Sequence, residues 1–244
     1  MGIRSDLNMF TSECPGQRSQ LRDKAPDKLL DRSLLERTTF EMFTRPWFLK
    51  ARVAATSEHW FEAFIYLWVT FNAWLSQIVS DRSFSDKDWY IFQATGLDPQ
   101  LRDTFDNLNA HDRSFREVVS EFHGLWPIFK VRSLIENGVE SWGAWGSDES
   151  RSNYREKCFN VSLKRGEYSP RCFLDHQPPG PSDWGAAYGH VPMDWAHTMS
   201  AIYQVRCNLF HGGKSFINSK DPIFVKLAFK ILWQVWPDFH HNRK

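Results

Sequence analysis

The sequence predicts an all-α fold, a helical bundle with one long irregular insertion, on three observations. Apolar side chains recur every three or four residues along most of the chain, which gathers them on one face of a helix. Several of these stretches open on aspartate or proline and close at glycine or proline, the residues that start and stop helices. No stretch alternates apolar and polar residues with the period of two that a half-buried strand requires.

Residues 1–26 are polar and punctuated by Pro15, Gly16 and Pro26, so they read as a mobile arm ahead of a single domain spanning 27–244. Leu29, Leu30, Leu34, Leu35, Phe40 and Phe43 then follow a helical rhythm. That helix is expected to end before Pro46, because proline lacks the amide hydrogen and crowds the preceding turn. Over 57–80 the series Trp60, Phe64, Leu67, Trp68, Phe71, Trp74, Leu75 and Ile78 predicts the longest helix, apolar on most of its circumference and therefore central to the core. Thr56 or Ser57 is its expected cap. Asn72 within it reads as a core amide bonded to a neighbouring helix. Shorter helices are predicted at 86–95, 98–109 and 112–123, each opened by an aspartate that suits the positive end of the helix dipole.

Between 137 and 191 the composition shifts to glycine, serine, proline and tryptophan, which reads as a loop-rich insertion beside the helical body. Trp142, Trp145 and Trp184 are expected to plug it onto the core, with stacking on nucleobases as the functional alternative. A helix resumes near Pro192 and Asp194 and runs through Met199, Ile202, Val205 and Leu209 to the glycine pair Gly212-Gly213. The last helix opens at Asp221-Pro222, aligns Ile223, Leu227, Ile231 and Val235, and ends at Pro237. Phe224, Phe229, Trp233 and Trp236 are too many for one stripe, so this helix is expected to pack on two sides.

With 244 residues, 42% of them hydrophobic and twelve tryptophans among them, the chain can bury one large core. A formal net charge of +1 excludes a general attraction to polyanions, so any nucleic-acid surface has to be local. Two basic clusters qualify: Arg206, Lys214, Lys220, Lys226 and Lys230 near the end, and a second from Arg151 to Arg171 in the insertion. Solvated surface is the plainer account of both. Cys14, Cys158, Cys172 and Cys207 form no Cys-x2-Cys pair and follow no secretory leader, so neither a zinc site nor a disulfide framework is indicated, and a cytoplasmic location is expected. The most apolar run, 64–79, is broken by Asn72, Ser76 and Gln77 and falls short of a membrane span. Gly212-Gly213-Lys214-Ser215 lacks the earlier glycine of a phosphate-binding P-loop, having Asn208 in its place, and follows a helix instead of a strand. No metal or cofactor is expected.

The chemistry-bearing residues are an arginine and a histidine, Arg206 and His211, at the end of the helix that stops at Gly212. Arginine is a permanent cation with a forked grip on phosphate, and histidine exchanges protons near neutral pH. An arginine followed by four to six residues and a histidine also occurs at Arg52/His59, Arg116/His123 and Arg171/His176, and about two such pairs are expected by chance. Context separates them. Arg52/His59 straddles a helix boundary, Arg171/His176 lies among prolines, and Arg116/His123 sits beside Glu117 and Glu121. His211 alone closes an apolar helix, whose negative end favours the imidazolium. Asn208, three residues earlier on the same face, is expected to orient the ring or touch a phosphate, and Tyr203 and Lys214 to bind substrate. Residues five apart stand about 140° apart around a helix. A second copy related by a two-fold would bring two of each side chain into one cleft, so a homodimer is expected.

Val205-Arg206-Cys207-Asn208-Leu209-Phe210-His211-Gly212-Gly213-Lys214 resembles the Arg-x4-6-His signature of HEPN domains, all-helical proteins found among toxin, antiviral-defence and RNA-processing ribonucleases. The resemblance covers about ten residues together with the flanking apolar helices. It implies a HEPN-like bundle and metal-independent RNA cleavage at a composite dimer site, with Arg206 and His211 as the catalytic pair. It also implies a neutralising nucleotidyltransferase-like antitoxin as a partner. The polar residue that often follows the family's arginine directly stands one place later here, as Asn208, with Cys207 between. The alternative from another class is a non-catalytic helical module that dimerises to bind or scaffold.

Overall fold

The computed structural model describes residues 30–79, 95–126, 128–139, 158, 168–169, 193–210 and 221–236. Helices account for 82% of the interpretable residues, so the fold is all-α. The helices are α1 (Arg37–Thr56), α2 (Trp60–Ile78), α3 (Pro99–His111), α4 (Arg113–His123), α5 (Val131–Glu136), α6 (Trp195–Phe210) and α7 (Asp221–Val235). A 3-10 turn, Arg32–Leu34, precedes them.

Pro46 does not end the first helix. α1 continues to Thr56 with Pro46 inside it. An interior proline costs about 3 kcal/mol. Phe40 and Phe48, either side of it, are both buried, and Ala51 and Ala54 extend the same inward stripe. Burying two phenylalanines contributes about 3–6 kcal/mol, which exceeds the local penalty. Pro46 itself is exposed, on the side where water can serve the carbonyl left without an amide partner. The expected cap of the next helix is corrected as well. The Thr56 hydroxyl donates back to the Arg52 carbonyl and so closes α1. Glu58 then takes a left-handed conformation at φ 58°, which reverses the chain, and α2 begins at Trp60.

α2 is central, as its circumference predicts, though α1 is one residue longer at 20 residues against 19. Phe64, Leu67, Phe71, Trp74 and Ile78 are all fully buried, while Asn72 is only half-buried. α1 packs along one side of α2 and α7 along another, with Phe71 and Trp74 meeting Trp236 at 5.3 and 5.6 Å between ring centres. α7 is the second hub, touching α2, α3, α4 and α6. Its Val225, Leu227, Ala228, Phe229, Ile231, Leu232 and Val235 are buried around most of the helix, and Ile223 falls outside that stripe at 38% exposure. The packing of α7 on more than one side is therefore achieved within the chain.

Two of the three aspartate starts hold, and Asp86 lies outside the described residues. The Asp98 carboxylate accepts from the Leu101 amide at 2.9 Å and Asp112 accepts from Phe115 at 3.1 Å, so each satisfies a donor that the first helical turn leaves open. Phe105 of α3 meets Phe115 of α4 edge-on at 5.5 Å, which joins the two short helices. Of the helix expected at 86–95, only Thr95 is described, and it opens a short helical run over 95–97. The Ser114 hydroxyl, followed by the Phe115 amide, holds the Asp112 carboxyl below its ordinary range. A lowered folded value means that the stabilisation is present above the ordinary carboxylate range and is lost as pH falls through the folded value. The protection of the first-turn amides of α4 against exchange, taken relative to the intrinsic rate at each pH, is accordingly expected to fall below that range in the wild type, and to be low and insensitive to this titration in Asp112→Ala.

The insertion touches the body at two described places. Ile128–Phe129 (β1) pairs antiparallel with Tyr168–Ser169 (β2), Ile128 opposite Ser169 and Phe129 opposite Tyr168. This two-residue ladder departs from a strandless reading because alternation cannot register over so short a stretch. Cys158 is buried in a small cluster with Leu134 and Val139, against which Phe129 packs. Trp142, Trp145 and Trp184, and residues 1–26, lie outside the described residues. Among the described residues, no helix is long and apolar enough to cross a membrane.

Candidate functional site

α6 carries the candidate site, and two anchors fix its start. The Asp194 carboxylate accepts from the His197 amide at 2.8 Å and meets His197 Nδ1 at 2.7 Å, while the buried Trp195 indole donates to the Thr95 carbonyl at 2.9 Å. Met199, Ala201, Ile202 and Val205 bury the inner face.

Tyr203, Arg206 and Phe210 share one face of α6, being three and four residues apart. The Arg206 guanidinium lies 5.7 Å from the Tyr203 ring centre and 5.1 Å from that of Phe210. Trp68, reaching across from α2, completes the surround at 5.8 Å. Cation–π contacts of this kind are worth about 0.5–2 kcal/mol each, more where water is excluded. The N–H edge of a guanidinium is the part that grips an oxyanion, and here Arg206 Nη1 lies 3.9 Å from the Cys207 sulfur. Tyr203 is thus brought to Arg206, as a shared site requires. Of the three rings, Phe210 was legible from its spacing to Arg206, whereas Trp68 comes from a different helix and carries no such signal. His211 and Lys214 lie outside the described residues.

Asn208 is elsewhere. Two residues from Arg206 it turns about 200° away, and only 3% of it is exposed. Its carbonyl oxygen accepts from the Val131 amide at 3.1 Å and from Gln204 Nε2 at 3.0 Å, and its amide donates to the Phe129 carbonyl at 2.7 Å. So buried, Asn208 is not placed to touch a phosphate, and its three bonds make it a brace that pins the β1–α5 segment onto α6; its expected contact with His211 falls on a residue outside the described ones. The sequence signal overlooked was Gln204, a second polar residue four places back in an apolar helix, whose spacing marks a buried pair. Asn208→Ala strips a buried amide and a part-buried carbonyl of their partner, at about 1–3 kcal/mol for each unmet group. A loss of about 2–6 kcal/mol in urea unfolding is expected, and an unchanged midpoint would contradict the brace.

Of the basic cluster near the end of the chain, Lys214 and Lys220 lie outside the described residues, and the two described lysines do not sit beside Arg206. Lys226 and Lys230 sit 5.2 and 5.9 Å from the ring centre of Trp60. Trp60 stands eight residues before Trp68, about 12 Å along α2. Of the competing pairs, Arg116 is spent on structure, donating from Nε to the Asn109 carbonyl at 2.8 Å and from Nη2 to Ala110, so that it serves the end of α3. Arg52 and His59 are both exposed at the junction of α1 and α2, and Arg171/His176 lies outside the described residues. Among the described residues, no group of three or more His, Cys, Asp or Glu could hold a metal ion. Comparison with protein-family models, curated proteins and solved structures finds no match to the chain.

Proposed function

We propose that the chain is a metal-independent endoribonuclease of HEPN type, acting in toxin or antiviral-defence systems. The observation that carries the reading is the setting of Arg206, held by three aromatic rings near the end of an apolar helix whose next residue is His211. In the proposed reaction Arg206 grips the scissile phosphate, and His211 exchanges a proton with the attacking 2′-hydroxyl or the departing 5′-oxygen. The products are a 2′,3′-cyclic phosphate and a 5′-hydroxyl end. The pair is completed across a two-fold in a homodimer, and a nucleotidyltransferase-like antitoxin is the proposed neutralising partner. DNA lacks the 2′-hydroxyl nucleophile and is expected to survive.

Purified protein incubated in EDTA with an RNA and with the DNA of the same sequence tests the reading. Cleavage of the RNA alone, leaving cyclic phosphate ends, supports it; loss of cleavage in EDTA, or equal cutting of the DNA, overturns it. A second reading, a non-catalytic binding or scaffolding module, is favoured by the commitment of Asn208 to the fold. RNA left intact at every protein concentration would decide for it.

A further inference from the structure

α1 shows two unlike faces. Its inner stripe is buried against the body, but Met42, Phe43 and Val53 are exposed at 65%, 65% and 63%. At about 100° per residue, Met42, Pro46 and Val53 fall within about 40° of one another, directly opposite the buried stripe. Large apolar side chains gathered on one outer helix face mark a contact surface. We infer that this face is where a second copy of the chain docks, α1 lying antiparallel on its twin about a two-fold axis near Pro46.

The charges beside the stripe select that occupant. Glu41, Arg45 and Arg52, all exposed, run along one flank, and Lys50 lies on the other next to Phe43. In an antiparallel pair related by a two-fold, like flank meets like flank. Glu41 of each copy then falls opposite Arg52 of the other, so that this pairing is made twice, while Lys50 on the other flank stays over the Trp47 and Tyr66 rings of its own chain, 5.2 and 5.8 Å from their centres. A membrane surface asks instead for cations alone along the margins of the apolar stripe, and Glu41 in line with Arg52 does not suit it. Twenty residues give the paired helices a length of about 30 Å.

This contact is separate from the Arg206 site and does not depend on the ribonuclease reading. Trp47 of α1 meets Tyr66 of α2, whereas Arg206 and Tyr203 of α6 meet Trp68. Residues 66 and 68 point about 200° apart around α2, so α1 and α6 lie on different sides of it.

Sedimentation of the full chain over micromolar concentrations tests the inference, with circular dichroism to check that each variant folds. Val53→Glu, Glu41→Arg and Arg52→Glu are each expected to weaken one association step about tenfold or more, and the double change Glu41→Arg/Arg52→Glu to restore it. The inference is overturned by a wild type that stays monomeric, by association that ignores these changes, or by a double swap that fails to recover. Capture on vesicles of anionic phospholipid, lost in Val53→Glu and without self-association, would also overturn it in favour of a lipid surface.

Discussion

His211→Ala is expected to slow RNA cleavage by about 10²–10⁴-fold, the range that a well-placed proton-transfer group supplies. Arg206→Ala is expected to do similar damage by removing the cation on the scissile phosphate. Arg206→Ala also leaves a hole among Trp68, Tyr203 and Phe210, so a loss of rate there has two explanations. Arg206→Lys separates them. Lysine keeps a cation and an aliphatic stem among the rings but loses the planar fork that matches a phosphate. A phosphate-gripping role therefore predicts a folded Arg206→Lys protein that cleaves at least about tenfold more slowly. A purely structural arginine predicts wild-type rates. The distinction matters because a stacked cation is not in itself a sign of catalysis in this chain: the Arg32 guanidinium sits 5.6 Å from the Trp74 ring centre, and Lys226 lies against Trp60. Rates are to be compared at equal folded fraction, and a His211→Ala protein that cuts RNA as fast as the wild type would refute the proposed proton transfer.

What could be read from the sequence was what local chemistry decides. Asp98 and Asp112 were legible as helix starts because a carboxylate that accepts an amide three residues ahead needs nothing from the rest of the chain. The apolar circumference of α2 was legible for the same reason, since a helix with no polar side can only be buried. Pro46 was misleading because its local cost of about 3 kcal/mol is set against aromatic burial that only the assembled fold supplies. Asn208 shows the same limit at the site itself. Its decisive partners, the Val131 amide and the Phe129 carbonyl, are 77 and 79 residues away in sequence, so the residue looked available for chemistry when its bonds were committed elsewhere. Arg206 lies between these cases. Two of its rings come from its own helix and one from α2, which made the neighbourhood partly visible and its closure not.

Asp98→Ala is expected to destabilise the fold by about 3–5 kcal/mol, because one buried carboxylate holds three elements at once. It accepts from Leu101 to start α3, and it takes both arms of the Arg32 guanidinium, at 2.8 and 3.1 Å. Arg32 in turn lies over Trp74 of α2, so the Arg32–Leu34 turn, α3 and the central helix meet through a single ion pair. Only 2% of the Asp98 side chain is exposed against 25% of Arg32. That inequality makes the two single changes unequal. Without Asp98, the arginine can still turn part of itself to water, and the loss falls near about 3 kcal/mol, of which the missing cap accounts for about 1. Without Arg32, a carboxylate shut away from water is left with only the helix amide to answer it, and Arg32→Ala is expected to lie nearer about 5 kcal/mol. Asp98→Asn, which can retain the cap but not the charge, should fall below both. Removing both partners leaves no orphaned charge, so the double alanine variant is expected to lose less than the sum of the singles in a urea-unfolding cycle. Single losses under about 1 kcal/mol, or strict additivity, would mean that the pair is solvated and binds nothing together. Against a total stability of about 5–15 kcal/mol, the larger figure would bring the domain close to its unfolding threshold.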